Sequence, residues 1–281
     1  MRTAHHILGA AMSLEVRPLT AVIGAEVCDI DLGKITDDDL AELRAAFLEH
    51  KVLFFRDQHL PVDDHIAFGR RWGDLELHPF ARDMAEHPEI VVVESTADKP
   101  YAAETWHSDV TWRVAPSLGS ILRARVIPPV GGDTCWANTE AAYDSLPDEW
   151  KSRIESLTAS HDYTRVFGRR VAPDKQAEMR EKYPVVHHPV VRTHPETGRR
   201  SIYTNRAFVT EIDGVSPPES DDILEHLERA VSNPNVQCRF RWQVDSIAMW
   251  DNRCTQHFAT SDFWPAHRRM ERVTIAGDVP R

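Results

Sequence analysis

The stretch ETWHSDVTW, Glu104 to Trp112, sets an imidazole and a carboxylate two residues apart between tryptophans. Read as a β-strand, it sends His107 and Asp109 out on one face and Ser108 on the other, so two groups able to bind a metal converge on one point. A polar strand facing solvent has the same spacing, and a single His-x-Asp does not separate the two readings. With fifteen histidines in the chain, other triplets compete. His87 and Glu89 flank Pro88, and His194 and Glu196 flank Pro195; proline disfavours a central strand and fits a turn. His226 and Glu228 fall in a helical stretch, where positions two apart do not share a face. His107 and Asp109 combine the spacing with a strand context.

A metal needs a further ligand from elsewhere in the chain. In SIAMWDNRCTQHFATSDF, Ser246 to Phe263, a strand ending at Trp250 and a turn at Asp251 and Asn252 lead to His257. Two histidines and one carboxylate on one side of an ion leave open positions opposite, the facial arrangement of non-haem Fe(II) oxygenases. An ordinary loop histidine is the plainer reading of His257. Arg268 and Arg272, four apart in RRMERVTIAGD, share one face of a strand. Guanidinium stays charged and pairs carboxylates or sulfonates bidentately, so two inward arginines ask for two anionic partners. Turned outward, they make a solvated basic edge. Cys254 and His257 resemble half a zinc site, but no second pair completes it.

These groups need a frame to hold them. The chain has 281 residues, 42% of them hydrophobic and eight of them tryptophan, enough for a substantial core. Apolar runs such as IVVV, Ile90 to Val93, are far too short to cross a bilayer. The opening MRTAHHILGAAMSL has a short apolar run broken by polar residues, which does not read as a signal peptide; a cytoplasmic protein without membrane association is expected. Four cysteines without paired spacing read as reduced thiols. A net charge of -11 and a pI near 5.7 argue against a nucleic-acid partner, despite the basic HRRMER at His267 to Arg272.

TDDDLAELRAAFLEH predicts a helix with Thr36 as N-cap, and it runs into KVLFF, Lys51 to Phe55, a buried strand. A second helix is expected from Pro61 to Trp72, and a third in SPPESDDILEHLERAV, with Ser216 and Glu219 as a capping box. RFRWQV, Arg239 to Val244, reads as a half-buried strand with Phe240, Trp242 and Val244 inward. VVRTHPETGRRSIY reads as a hairpin turning at Pro195 to Gly198. No repeat or long linker divides the chain. One domain over 1–281 is expected, with residues 1–13 as a poorly ordered extension and a mainly β fold carrying helical decoration, a jelly roll.

With these residues assembled, the chain resembles the taurine dioxygenase family of Fe(II)/2-oxoglutarate dioxygenases, which includes alkylsulfatase and phenoxyacetate members. The resemblance runs from GAEVCDIDL, Gly24 to Leu32, to TIAGD, Thr274 to Asp278. It is carried by WHSD, by GGDT at Gly131 to Thr134, by WDNRCTQH at Trp250 to His257, and by HRRMERVTIAGD. It implies a distorted jelly roll, or double-stranded β-helix, with Fe(II) held by His107, Asp109 and His257. 2-Oxoglutarate is then bound through Thr134 and Arg268, and dioxygen is the oxidant. His78, the Val110 amide and Arg272 match positions that contact a sulfonate, and Phe167 and Phe208 match walls of the substrate pocket. Ala81 and Ala103 stand where taurine-specific relatives carry polar contacts, which favours an apolar tail. The implied substrate is a small anionic sulfonate or sulfate ester, oxidised beside its anionic group to an aldehyde with release of sulfite or sulfate. A homo-oligomer, dimer or tetramer, is implied too. An aryloxyalkanoate dioxygenase of the same family is the alternative; those of another class are a zinc hydrolase, which gives the two arginines no role, and a non-catalytic binding protein, against which the intact triad and Arg268 argue.

Overall fold

A threonine followed three residues later by a carboxylate starts the first helix, Asp37–His50. The Thr36 hydroxyl accepts from the Asp39 N–H at 3.1 Å, and the Asp39 carboxylate accepts from the Thr36 N–H at 2.8 Å. The helix stops where Lys51 takes a left-handed φ of 65° and hands the chain to VLFF. The computed structural model describes residues 14–80, 83–84, 86–100 and 103–281. The expected extension over residues 1–13 lies outside them.

In chain order the strands are β1 (Glu15–Pro18), β2 (Ala25–Cys28), β3 (Val52–Phe55), β4 (Asp83–Met84), β5 (His87–Ser95), β6 (Gly119–Val126) and β7 (Thr134–Asn138). The middle of the chain adds β8 (Thr158–His161), β9 (Val186–Pro189), β10 (Val191–Thr193), β11 (Arg200–Ile202) and β12 (Val209–Ile212). The last stretch gives β13 (Gln237–Phe240), β14 (Ile247–Asp251), β15 (Thr255–Ala259) and β16 (Arg268–Ile275). The large sheet runs β1-β2-β3-β14-β6-β16-β5-β4, and a smaller one runs β13-β7-β15.

Both faces of the large sheet are covered, which is why VLFF and IAMWD read as continuous apolar runs rather than alternating ones. Phe55, Ile121, Met249 and Val273 point to one face, where Leu43 and Phe47 of the first helix and Ile66 and Phe68 of the second, Val62–Arg70, pack on them. Their neighbours Phe54, Leu122 and Trp250, with Met270, point to the other face and meet Trp136 and Phe240 of the small sheet and Trp242 just beyond it. Two sheets closing on this second core make the jelly-roll sandwich expected from the sequence.

Several local expectations change. The second helix covers Val62–Arg70, with Pro61 at its cap position. β13 ends at Phe240; Trp242 is buried, but Gln243 turns onto Ser246 at 3.1 Å and leaves Val244 exposed. Ser216 precedes the helix Pro217–Val231 without a side-chain cap, and Glu219 pairs with Arg153 at 3.3 Å in place of closing a capping box. Pro88 sits inside β5, near its start, where the pairing with β4 shifts register, a place that tolerates a missing N–H. The hairpin of β10 and β11 forms as expected.

Burial of histidine couples this fold to pH. His65 is fully buried, with Nε2 at 3.2 Å from the Ile121 carbonyl, and burial pushes its pKa down to about 4. Between the ordinary value of 6.5 and about 4 the unfolded chain takes up a proton that the folded chain refuses, so stability falls as pH falls through that window. Thermal melting from pH 7 to 4.5 is expected to decline, and His65→Gln to flatten the decline. An unchanged slope in the variant would assign the pH effect to other groups.

Candidate metal and co-substrate site

The strand expected at ETWHSDVTW is a single bridge followed by a turn. His107 donates its N–H to the His257 carbonyl at 3.1 Å, and His257 donates to the His107 carbonyl at 2.8 Å. The chain then reverses through Asp109 and Val110, whose φ of 48° is a strained conformation for a β-branched residue. The turn, not the alternation of a pleat, carries Asp109 back toward the histidines. Asp109 Oδ1 lies 4.0 Å from His257 Nε2, and ligand atoms of His107, Asp109 and His257 all fall within 4.8 Å of one another.

The chemistry of these three groups suits a divalent metal. Burial pushes both imidazoles down, His257 well below its ordinary value, so both are neutral near pH 7. His107 Nδ1 sits 2.7 Å from the Thr105 carbonyl, which fixes the proton there and leaves Nε2 as the lone-pair nitrogen. Burial alone would push the Asp109 carboxyl up, but the Arg272 guanidinium at 2.7 Å holds it well below the usual carboxylate range.

Arg268 enters from β16 and is buried. Its Nε donates to the Gly132 carbonyl at 3.1 Å, while Nη2 is buried without a hydrogen-bond partner. Burial lowers its pKa to about 10, so it stays charged at neutral pH. Gly131 and Gly132 have φ of 78° and 75°, and a Cβ on Gly132 would lie 3.2 Å from Arg268 Cδ, so GGDT is the loop that lets this guanidinium in. Thr134 Oγ1 accepts from Trp242 Nε1 at 3.0 Å, which leaves the hydroxyl proton for an acceptor. A buried orphaned guanidinium N–H and a donor hydroxyl fit a dicarboxylate co-substrate.

His78 Nδ1 accepts from the Phe80 N–H at 3.2 Å, so Nε2 carries the proton; burial, with Arg272 adding to it, pushes this imidazole down to about 3. The Val110 N–H makes no hydrogen bond among the described residues. Phe167 ends the short helix Thr164–Phe167 and stacks on Phe208 with centroids 6.0 Å apart. His107, Asp109, His257, Thr134, Arg268, His78, Val110, Phe167, Phe208 and Arg272 all line one cavity of about 920 Å³.

Other groups at the cavity had no signal in sequence. Phe80 lines it and stacks on Tyr163 and Phe167 at 4.9 and 5.2 Å. Arg165 and Arg170 line it on either side of Phe167. Its acids are engaged: Asp109 with Arg272, Glu94 with His267 and Arg269, Glu104 with Ser261. Cys254 belongs elsewhere, with His194 and Asp251. There both Asp251 oxygens pair with Arg253, at 2.8 and 2.7 Å, and burial raises the Cys254 thiol well above its ordinary range, so that cluster is a structural ion-pair knot and not half a zinc site.

Residues 15–274 match the family described as taurine catabolism dioxygenase TauD, TfdA family. An alkylsulfatase of Acinetobacter baylyi is 37% identical, over 97% of this chain and 88% of its own length. An alpha-ketoglutarate-dependent sulfate ester dioxygenase of Pseudomonas putida is 35% identical, over 100% of this chain and 94% of its own. The crystal structure of a taurine dioxygenase from Burkholderia xenovorans superposes with a TM-score of 0.83 at 37% identity, covering 95% of this chain and 92% of the other.

Proposed function

This chain belongs to the TauD, TfdA family of Fe(II)- and 2-oxoglutarate-dependent dioxygenases, and on that premise we propose that it hydroxylates the carbon beside the anionic group of a small sulfate ester or sulfonate. The observation that carries the assignment of residues is one cavity holding both the His107, Asp109 and His257 cluster and the orphaned guanidinium of Arg268. Fe(II), when bound, couples oxidative decarboxylation of 2-oxoglutarate by dioxygen, giving succinate and carbon dioxide, to hydroxylation of the substrate. His107, Asp109 and His257 hold the metal. Arg268 and the Thr134 hydroxyl bind the distal carboxylate of 2-oxoglutarate. Arg272, His78 Nε2–H and the Val110 N–H bind the sulfate or sulfonate, which places the neighbouring carbon at the reacting centre. Hydroxylated there, the product collapses to an aldehyde and sulfate or sulfite.

The tail of the substrate meets Phe167, Phe208 and Ala103. Ala81, expected beside it, lies outside the described residues. Among the described residues, an ammonium beside Phe167 meets the cations Arg165 and Arg170, so it carries repulsion and its desolvation cost into the complex. Medium-chain alkyl sulfates or alkylsulfonates are therefore the preferred substrates over taurine. Sulfate and sulfite release from hexyl sulfate, pentanesulfonate and taurine, side by side in air with Fe(II), 2-oxoglutarate and ascorbate, tests it: kcat/KM should favour the alkyl compounds by roughly tenfold or more. A preference for taurine overturns the tail assignment, and no release from any of them overturns the substrate class. The same proposal has the protein as a cytoplasmic homo-oligomer, a dimer or tetramer; among the described residues no helix is long and apolar enough to cross a membrane.

A further inference from the structure

Asn252, in the turn between β14 and β15, is buried and has every hydrogen-bonding position used. Its Oδ1 accepts from the Asp109 N–H at 3.2 Å and from Trp250 Nε1 at 2.9 Å. Both partners are donors only, so the amide orientation is fixed: Oδ1 faces them and Nδ2 faces away. Nδ2 donates to Ser117 Oγ at 3.0 Å and to Ser120 Oγ at 3.3 Å. Ser120 Oγ in turn lies 2.8 Å from Asp109 Oδ2. A hydroxyl has one proton. Because Asn252 fills an acceptor position on Ser120 with N–H, that proton goes to Asp109.

We propose that Asn252 and Ser120 are positioning residues for the carboxylate of Asp109. The amide sets the direction of the Ser120 hydroxyl, the hydroxyl occupies Oδ2, and Oδ1, which accepts from Arg272 Nη1 at 2.7 Å on one lone pair, is the oxygen facing His257 Nε2 at 4.0 Å. The same amide ties the backbone of the 107–110 turn to the segment that leads into His257, so two of the ligand-bearing pieces share one clamp. This rests on the assignment of His107, Asp109 and His257 as the metal ligands.

Two substitutions act on the hydroxyl by different routes. Ser120→Ala deletes it and frees Oδ2. Asn252→Asp keeps the shape and both N–H contacts at Oδ1, but replaces the donor with an acceptor; the Ser120 proton then turns toward residue 252 and leaves Asp109. Co(II) binding to the full-length, metal-free protein, by calorimetry and by the visible absorption of the bound ion, reads the effect without turnover. Each variant should bind Co(II) about tenfold or more weakly, with a changed visible spectrum from an altered carboxylate mode and a melting temperature close to the parent's for Ser120→Ala. Parent-like affinity and spectrum in Ser120→Ala overturn the inference, and that variant decides alone if Asn252→Asp does not fold. Asp109→Ala separates the two levels. If it weakens Co(II) binding while Ser120→Ala does not, only the positioning role falls; if Asp109→Ala binds Co(II) like the parent, the ligand assignment falls as well.

Discussion

His107→Ala, Asp109→Ala and His257→Ala should each lower Fe(II)-dependent succinate formation by roughly a hundredfold or more, since each removes one of three donors from a site that needs its open face opposite them. The three are not equivalent in the metal-free protein. His107 and His257 are neutral, so their removal deletes packing and leaves no charge behind. Asp109 is the partner of Arg272 at 2.7 Å and of Ser120 at 2.8 Å, and its loss strands a largely buried guanidinium. Asp109→Ala should therefore show the lowest melting temperature as well as the lost turnover, and the histidine variants should lie closer to the parent. His87→Ala is the control: among the described residues that ring pairs with the exposed Asp63, at 3.6 Å, and its loss should keep full turnover. Parent-like succinate formation in Asp109→Ala would sink the metal assignment.

Chemistry was more legible in this sequence than local geometry. WHSD and QHF pointed to three residues whose ligand atoms lie within 4.8 Å of one another, yet the strand invoked for His107 and Asp109 is a one-residue bridge and a turn. Periodicity cannot see this, because the φ of 48° at Val110 is imposed by tertiary contacts on a residue whose own preference is extended. Arg268 and Arg272 were readable because β16 is a real strand and the spacing of four keeps both on the cavity side. Asn252 stood in a quoted motif without a role, since its role is a pattern of donors and acceptors from β6, β14 and the 107–110 turn. Ser120 had no signal at all. Serine in a strand gives nothing to read until the carboxylate above it is located. The His194 pairing with Asp251 at 3.1 Å was hidden in the same way: the His-Pro-Glu triplet correctly read as a turn, and its histidine is buried by contacts from another part of the chain.

Arg268→Lys is the second large effect, and it falls on the co-substrate. Lysine keeps one positive charge but loses the fork that lets one guanidinium hold the Gly132 carbonyl through Nε and present Nη2 to the cavity. The Gly132 Cα leaves room for a slender, planar group, and a shorter ammonium reaching the same carboxylate would have to abandon the carbonyl. Burial already lowers Arg268 to about 10, and it acts in the same direction on an ammonium, which starts lower, so the replacement is less securely charged. A charge-assisted pair is worth about 1.5–3 kcal/mol, or roughly ten- to a hundredfold in binding. The KM for 2-oxoglutarate should rise by that factor, while Co(II) affinity stays at the parent value because Arg268 bonds the Gly132 carbonyl and, among the described residues, makes no hydrogen bond or ion pair with His107, Asp109 or His257. Arg269 is no substitute: it is engaged by Glu94 at 3.6 Å and Glu271 at 3.4 Å and does not line the cavity. A parent-like KM in Arg268→Lys would mean that the distal carboxylate is held elsewhere, and loss of Co(II) binding in the same variant would mean that Arg268 supports the metal cluster and not the co-substrate.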